Sequence, residues 1–309
     1  MTEEVKKLMT EALQHQVGPS FICGVVLLLL ARSIYRNRFS HLAAVLAFFV
    51  ALAVGNWLAQ INPDWWPALN ASKRATWLPW MAAAGCVAGL ISQSMKKPVL
   101  GYAFWVAVAY LFADRIVPEN YLKYQCWAKM IPEGFFQTKL WAASGLLFLT
   151  ALVGFGFAKL NGKRPGGLPP FLFGFALLTA GTVAIFSKAP MTLLDLNTLG
   201  GFCLYGLAAV APFTKADVSS IYPGAAFLLT GSLLVAHYDS ESNIPEIAFL
   251  LPAIAPLFAL VGLLPFVDRQ RSLIRVLIVA GPMLIALGIA LALATTYGEL
   301  PLGSEKDEW

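Results

Sequence analysis

Two short groups of ionisable residues are the best candidates for chemistry in this sequence. They are His237-Tyr238-Asp239 and the adjacent pair Asp114 and Arg115. A histidine beside a carboxylate can take part in general acid–base catalysis. In a helix, however, residues i and i+2 point in different directions, so His237 and Asp239 need not touch. Both groups are expected to cap helices at a membrane interface rather than to catalyse a reaction.

Other catalytic and cofactor motifs are missing from the sequence. The three histidines lie far apart and form no HExxH motif, and no P-loop or dinucleotide-binding glycine pattern occurs. The four cysteines are scattered and form no CxxC pair, which argues against a zinc site or a disulfide framework. We therefore assign no catalytic, cofactor-binding or metal-binding residue, expect no cofactor, and favour a protein that is not an enzyme.

The composition indicates the class of protein that holds these residues. Apolar types make up 58% of the 309 residues and charged types only 13%. Soluble domains have about 45–50% apolar and about 25% charged residues. This excludes an ordinary soluble enzyme, a disordered chain and a nucleic-acid-binding domain. We predict an all-α, polytopic membrane helix bundle whose surroundings are the lipid bilayer, with no nucleic-acid partner.

Apolar runs long enough to cross a bilayer define the predicted helices. A helix needs about 20 apolar residues to span the hydrocarbon core. The runs place a single transmembrane domain at residues 17–297. About ten runs qualify, at 17–35, 41–61, 76–94, 98–117, 138–159, 168–187, 196–213, 221–238, 246–267 and 273–297. The seventh is the weakest, because its glycines lower its helix propensity, and it need not cross fully.

Polar residues also occur at the two ends of the chain, before the first apolar run and after the last one. Residues 1–16 place apolar side chains on one helical face and charges on the other, which predicts a short amphipathic helix in the membrane interface. A frayed, solvated extension is the alternative. The first apolar run is followed by arginines and not by a small-residue cleavage site, so we expect a retained helix. Residues 298–309 are predicted to form an acidic polar tail.

The positions of the basic residues predict an orientation. Lys and Arg are dense in alternating short links, whereas the link after the eighth run has none and carries Asp239, Glu241 and Glu246. Basic links usually remain on the cytoplasmic side. We therefore predict that both termini lie outside, most naturally in a plasma (cytoplasmic) membrane. The basic residues of the alternating links are Arg32, Arg36, Arg38, Lys96, Lys97, Lys159, Lys163, Arg164, Lys215, Arg269, Arg271 and Arg275.

Polar side chains at predicted membrane depth are few, and none in mid-span is ionisable. A candidate polar path consists of Asn56, Gln60, Thr179 and Thr230. Asn56 and Gln60 are four residues apart and share a helical face, so they could line a path or hydrogen-bond a neighbouring helix. An ion-coupled carrier is expected to keep a carboxylate or histidine at depth. The absence of such a residue from the middle of the predicted spans argues against ion coupling.

Small residues recur at helical spacing in several runs and predict close helix packing. One GxxxG motif and three glycine pairs spaced by seven residues form stripes along single helix faces. We expect at least two of the seven-residue stripes to face a neighbouring helix, and chance recurrence of a common membrane residue is the alternative. The helix-packing candidates are Gly85, Gly89, Gly174, Gly181, Gly224, Gly231, Gly281 and Gly288.

Prolines are concentrated in the ninth run. An interior proline removes a helix hydrogen bond and clashes with the preceding turn. Pro252 and Pro256 share a face and are predicted to kink this helix, with Pro265 further along the same run. Such a break can mark a transport pathway or can be purely structural.

Tryptophans are concentrated on the predicted outer side. We predict an outer aromatic platform that could bind a lipid, a quinone-like ring or a partner subunit. Simple anchoring at the interface is the alternative. The platform candidates are Trp65, Trp66, Trp77, Trp80, Tyr124 and Trp127.

Two functions remain after these exclusions. The first is a multi-pass membrane protein without a catalytic site, acting as a scaffold, an accessory subunit or a component that binds lipid or a membrane-protein partner. The second is a facilitator or carrier for a small neutral or amphipathic solute. A solid core with an exposed apolar flank favours the first, whereas a wet cavity at mid-depth favours the second.

Overall fold

A computed structural model describes most of the apolar part of the chain. The described residues are 17–35, 40–58, 74–94, 101–107, 110, 138–163, 166–214, 216–240 and 242–298. The predicted N-terminal amphipathic helix and nearly all of the predicted acidic tail lie outside them. All regular secondary structure in these ranges is helical, with no strand. Within the described parts of the chain the helices are α1 Gly18–Tyr35, α2 Ser40–Leu58, α3 Leu78–Ser94, α4 Thr138–Lys163, α5 Leu168–Phe186, α6 Met191–Thr214, α7 Tyr222–Tyr238, α8 Glu246–Ala259, α9 Pro265–Asp268 and α10 Ser272–Tyr297.

Seven of the described helical stretches are long and apolar enough to cross a membrane. They contain α3, α4, α5, α6, α7, α8 and α10, while α1 and α2 supply shorter apolar stretches. Residues 101–107 form a helical piece of the fourth predicted span. The prediction of an all-α membrane bundle is therefore confirmed, and the number of crossings stays a prediction.

The start of α6 differs from the hydropathy-based prediction. Helix α6 begins at Met191 and not at Leu196, so Asp195 and Asn197 lie inside the helix. Both are buried, and the Asn197 side chain donates to the Leu193 carbonyl oxygen at 2.7 Å. A hydropathy window stops at such residues, but a buried polar side chain with a local hydrogen-bond partner is compatible with a membrane helix.

The proline-rich ninth run is divided near its end. Helix α8 continues in the α conformation through Pro252 and Pro256, and a 3₁₀ turn at Leu260–Leu263 follows it. Pro265 was expected to be an interior proline, but it opens the separate short helix α9 after the extended residue Leu264. Proline suits the first turn of a helix, where no intrahelical N–H bond is lost.

Helix α7 is the centre of the bundle. Its membrane window is 94% buried, and it packs against α3, α4, α5, α6 and α8. Helix α10 is at the edge, with a window only 33% buried and its main contacts to α8 and α5. The other strongly packed pairs are α5 with α6 and α1 with both α2 and α6.

Glycines make the closest helix crossings. Gly85 of α3 faces Gly224 of α7, and a Cβ on Gly85 would lie 2.7 Å from the Gly224 Cα. One turn further along, Gly89 abuts the Ser220 backbone, so the predicted GxxxG motif meets the start of α7. A side chain at Gly85 or at Gly224 would collide with the backbone of the other helix. Helices α3 and α7 can therefore approach this closely only with glycine at both of these positions.

Two more glycine pairs join other helices. Gly174 of α5 meets Gly201 of α6, and Gly24 of α1 meets Gly206 of α6. The glycines that weakened the helix prediction for α6 are therefore its packing positions. In a membrane, close packing against α1 and α5 compensates for the low helix propensity of glycine.

Candidate functional site

Polar side chains converge at one end of the bundle. Residues from the start of α2, the ends of α3 and α4, the segment that precedes α7 and the segment that follows α8 all meet there. They come from five links that alternate along the sequence, as expected for helices that cross in alternating directions. We call this region the polar end.

Asp217 lies at the centre of the polar end. Its Oδ1 accepts hydrogen bonds from the Asn161 amide, at 2.9 Å, and from the Ser219 backbone N–H, at 2.9 Å. Its Oδ2 lies 3.8 Å from His41 Nε2. The Tyr222 hydroxyl donates to Asn161 Oδ1 at 3.4 Å. This network ties the segment before α7 to α2 and α4.

The backbone before α7 explains why Asp217 occupies this position. Its carboxylate accepts a hydrogen bond from the first N–H of the 3₁₀ turn Ser219–Ile221, which leads directly into α7. Asp favours such positions because its short side chain can bond to a backbone N–H two residues later. The Ser220 hydroxyl donates to the backbone carbonyl oxygen of His41, at 3.0 Å, and not to the imidazole ring. The arrangement therefore holds charges in place rather than activating a hydroxyl as a nucleophile.

An ion pair joins α4 to the segment after α8. Lys163 Nζ lies 2.8 Å from Asp268 Oδ2 and donates to the Leu263 carbonyl oxygen at 2.9 Å. Arg275 donates to backbone carbonyl oxygens of Asp268, at 2.8 Å, and Gln270, at 3.0 Å. These bonds satisfy carbonyl groups at helix ends, which have no intrahelical partner.

An open cleft of about 520 Å³ lies between these elements. Its size is within the range of small-molecule sites, about 300–1,000 Å³. We call it the polar cleft, and its lining residues are Gln93, Ala158, Lys159, Gly162, Lys163, Asp217, Ser219 and Leu263.

Polar groups at mid-depth bond to each other or to their own helices. The Thr150 and Thr230 hydroxyls are 2.8 Å apart across α4 and α7. The Ser232 hydroxyl donates to Asn197 Oδ1 at 3.2 Å across α7 and α6. The Thr179 hydroxyl donates to its own helix, to the Phe175 carbonyl oxygen at 2.9 Å. The Thr150–Thr230 and Ser232–Asn197 bonds therefore hold helices together, as interhelical hydrogen bonds do in membrane proteins.

The predicted polar path stays a prediction, because the structure describes only two of its four side chains. Thr179 and Thr230 are buried on different helices and make the bonds given above. Asn56 lies in the last turn of α2, and its side chain is outside the described set, as is Gln60 entirely.

The aromatic platform is described only in part. Trp77 lies in the 3₁₀ turn before α3 and Trp80 in the first turn of α3, and both are half-buried. The other four platform candidates, Trp65, Trp66, Tyr124 and Trp127, lie outside the described residues. The platform therefore stays a prediction.

Of the two ionisable groups singled out from the sequence, only His237-Tyr238-Asp239 lies within the described residues, and it lies away from the polar end. His237 is in the last turn of α7, where its ring centroid is 5.2 Å from that of Phe249. Asp114 and Arg115 are outside the described residues. At the same end as His237, the Ser240 hydroxyl donates to the Ser187 carbonyl oxygen at 3.2 Å.

The sequence reasoning missed the polar cleft. Asp217, Asn161 and Ser219 are each unremarkable in a scan for motifs, because they come from different links and have no fixed spacing. The available signal was positional: each lies at a helix end, in one of the alternating links predicted to share a side. Among the residues that the structure describes, no three His, Cys, Asp or Glu side chains are grouped to hold a metal ion.

No protein-family model matches the chain, and no curated protein matches it either. Its function has to be inferred from its own residues.

Proposed function

We propose that this protein is a non-catalytic membrane component, an accessory subunit or scaffold that packs against a partner protein within the bilayer. The pairing of polar groups at mid-depth is the observation that carries this proposal. A permeation path for a polar solute needs donors and acceptors that face a wet lumen. In the described bundle, the Thr150–Thr230 and Asn197–Ser232 pairs use these groups for helix contacts instead.

The edge helix α10 supports the assignment of a partner. Its outward face carries Gly281, Gly288, Ala292 and Thr295, with Ile285 between them. A Cβ at Gly281 or Gly288 would meet nothing within 4 Å, so these glycines make no close contact with any other described helix of the chain. Small residues at membrane helix surfaces allow another helix to approach closely. The occupant that we propose is a transmembrane helix of the partner.

We further propose that the polar end faces the cytoplasm. It gathers the alternating links in which basic residues are dense, among them Lys159, Lys163 and Arg275. Basic residues in short links are retained on the cytoplasmic side. Introduced cysteines test this orientation: Ser240→Cys should react with an impermeant thiol reagent added outside intact cells, whereas Lys163→Cys should be protected. The reverse pattern would overturn it.

A flux assay separates the accessory role from the facilitator alternative. Purified protein in proteoliposomes should give no more permeation of glycerol, urea or neutral amino acids than protein-free vesicles. Solute-specific flux that Thr230→Leu abolishes, and that the exposed-site control Phe148→Leu leaves unchanged, would favour the facilitator.

Photo-crosslinking in native membranes tests the partner directly. A crosslinker at the exposed position Ile285 of α10 should give one adduct of defined mass. The same group at the equally exposed Phe148 of α4 serves as the control. Lipid adducts alone at both positions would contradict a partner helix on α10.

A further inference from the structure

We propose that the polar cleft binds a phosphate-bearing anion, with Lys159, Lys163, Gln93 and Ser219 as its donors. This site goes beyond the accessory role and does not depend on it. The phosphate could belong to a phospholipid headgroup or to free phosphate, and the experiment below distinguishes these sources.

The proposed donors of the cleft come from three elements, which are α3, α4 and the 3₁₀ turn before α7. Lys159 and Gln93 are exposed in the cleft wall, and neither bonds to a described residue. Lys163 contributes a second ammonium group, anchored by Asp268 and the Leu263 carbonyl oxygen. Ammonium, amide and hydroxyl donors around one space are the set that phosphate oxygens accept from.

The Ser219 hydroxyl is a separate observation that indicates a ligand in the cleft. The residue lines the cleft and is 1% exposed, and its Oγ has no hydrogen-bond partner among the described residues. Buried hydroxyls in proteins nearly always have a partner. An oxygen atom of a ligand bound in the cleft would supply the missing hydrogen-bond partner of the Ser219 hydroxyl.

The carboxylate in the cleft, Asp217, already accepts hydrogen bonds from the protein. Asp217 has one oxygen engaged by Asn161 and by the Ser219 N–H, while the other faces His41. Asp268 is paired with Lys163. Among the described residues, the Lys159 ammonium has no ion-pair partner, so it can pair with the phosphate of an anion bound in the cleft.

The position of the cleft favours a lipid as the source of the phosphate. It opens at an end of a transmembrane bundle, where headgroups lie, and basic pockets between helices bind such headgroups. Leu263 lines the cleft, and the next apolar side chains along the chain, Leu264 and Phe266, are exposed. They provide an apolar surface beside the phosphate donors for the start of an acyl chain.

Gly162 gives a way to block the cleft without disturbing the fold. It lines the cleft, and a Cβ at this position would meet nothing within 4 Å. Gly162→Leu should therefore fill the space while leaving the packing of α4 intact. Gly145 is the matched control, because it also lies on α4 with nothing within 4 Å of a Cβ.

The experiment measures lipid binding to the delipidated full-length protein by native mass spectrometry. Phosphatidylglycerol should bind as a discrete adduct, and diacylglycerol, which lacks the phosphate, should not. Gly162→Leu should abolish the adduct and Gly145→Leu should keep it. Lys159→Gln should weaken binding about tenfold, Ser219→Ala about threefold, and the control Arg269→Gln, at the same end but outside the cleft, should not change it.

Competition with inorganic phosphate identifies the source. If phosphate displaces the lipid and itself stabilises the protein against heat, the cleft recognises the phosphate group in either form. If only phosphatidylglycerol binds, the ligand is the lipid. Equal lipid binding by wild type, Gly162→Leu and Lys159→Gln, or an equal loss with Arg269→Gln, would overturn the site.

Discussion

Helices α7 and α10 carry the same spacing of two glycines, seven residues apart, in opposite surroundings. Gly224 of α7 touches the α3 backbone, whereas Gly281 and Gly288 of α10 touch no residue in the part of the chain that the structure describes. The membrane window of α7 is 94% buried and that of α10 is 33% buried. A small-residue stripe therefore indicates a surface that can be approached closely, and the neighbours of the helix decide whether the chain itself uses it.

The largest expected effect of a substitution is at the crossing of α3 and α7. Gly224→Leu should lower the free energy of unfolding by about 3 kcal/mol, because the new side chain must push α3 away from α7. Denaturation in mild detergent, followed by tryptophan fluorescence, measures it. Stability equal to wild type would contradict the close contact of these helices.

A smaller loss is expected where α7 joins the polar end. Asn161→Leu should destabilise the fold by about 2 kcal/mol, because it removes one donor from Asp217 and the acceptor of the Tyr222 hydroxyl. The same denaturation assay applies. An unchanged unfolding midpoint would show that the network does not hold the start of α7.

A third substitution tests the hydrogen bonds at mid-depth. Thr230→Val should cost about 1 kcal/mol, because the Thr150–Thr230 bond across α4 and α7 is lost. Thr295→Val on the exposed face of α10 is the matched control, since the Thr295 hydroxyl bonds only to its own helix. A double-mutant cycle of Thr150→Val and Thr230→Val should show a coupling energy of about 0.6 kcal/mol. Additive effects would place the two hydroxyls in separate networks.

The smallest effect on stability is expected on α10. Gly288→Leu should change the free energy of unfolding of the isolated protein by less than about 0.5 kcal/mol, because no described residue lies within 4 Å of a Cβ at this position. The same variant should lose the crosslink from Ile285 in native membranes. Loss of stability comparable to that of Gly224→Leu would remove the distinction between the two helices.

Much of the architecture could be predicted from local sequence, because the bilayer imposes a simple length and polarity requirement on each helix. The prediction based on this requirement was wrong where polar residues lie inside a helix, as Asp195 and Asn197 do in α6. It also failed at Pro265, where a proline expected inside a helix begins a new one. In both cases the local hydrogen bonding, and not the hydropathy, sets the boundary.

The polar cleft could not be predicted in the same way. Lys159 and Gly162 belong to one helix, but Gln93, Ser219 and Leu263 come from three other parts of the chain. Their sequence separation is long and their spacing follows no motif. The one signal in the sequence was that these residues lie in alternating links, which are predicted to lie at the same end of the bundle.

The sequence by itself determined that this chain forms apolar helices and that its charge lies at helix ends, because unpaired charge is costly inside a bilayer. It also determined where glycines are spaced to form smooth helix faces. Only the tertiary structure decided that Gly85 and Gly224 meet while Gly288 faces outward. Only the tertiary structure brought Asn161, Asp217 and Ser219 together, because helix packing brings distant links to one end of the bundle and hydropathy carries no information about which links become neighbours.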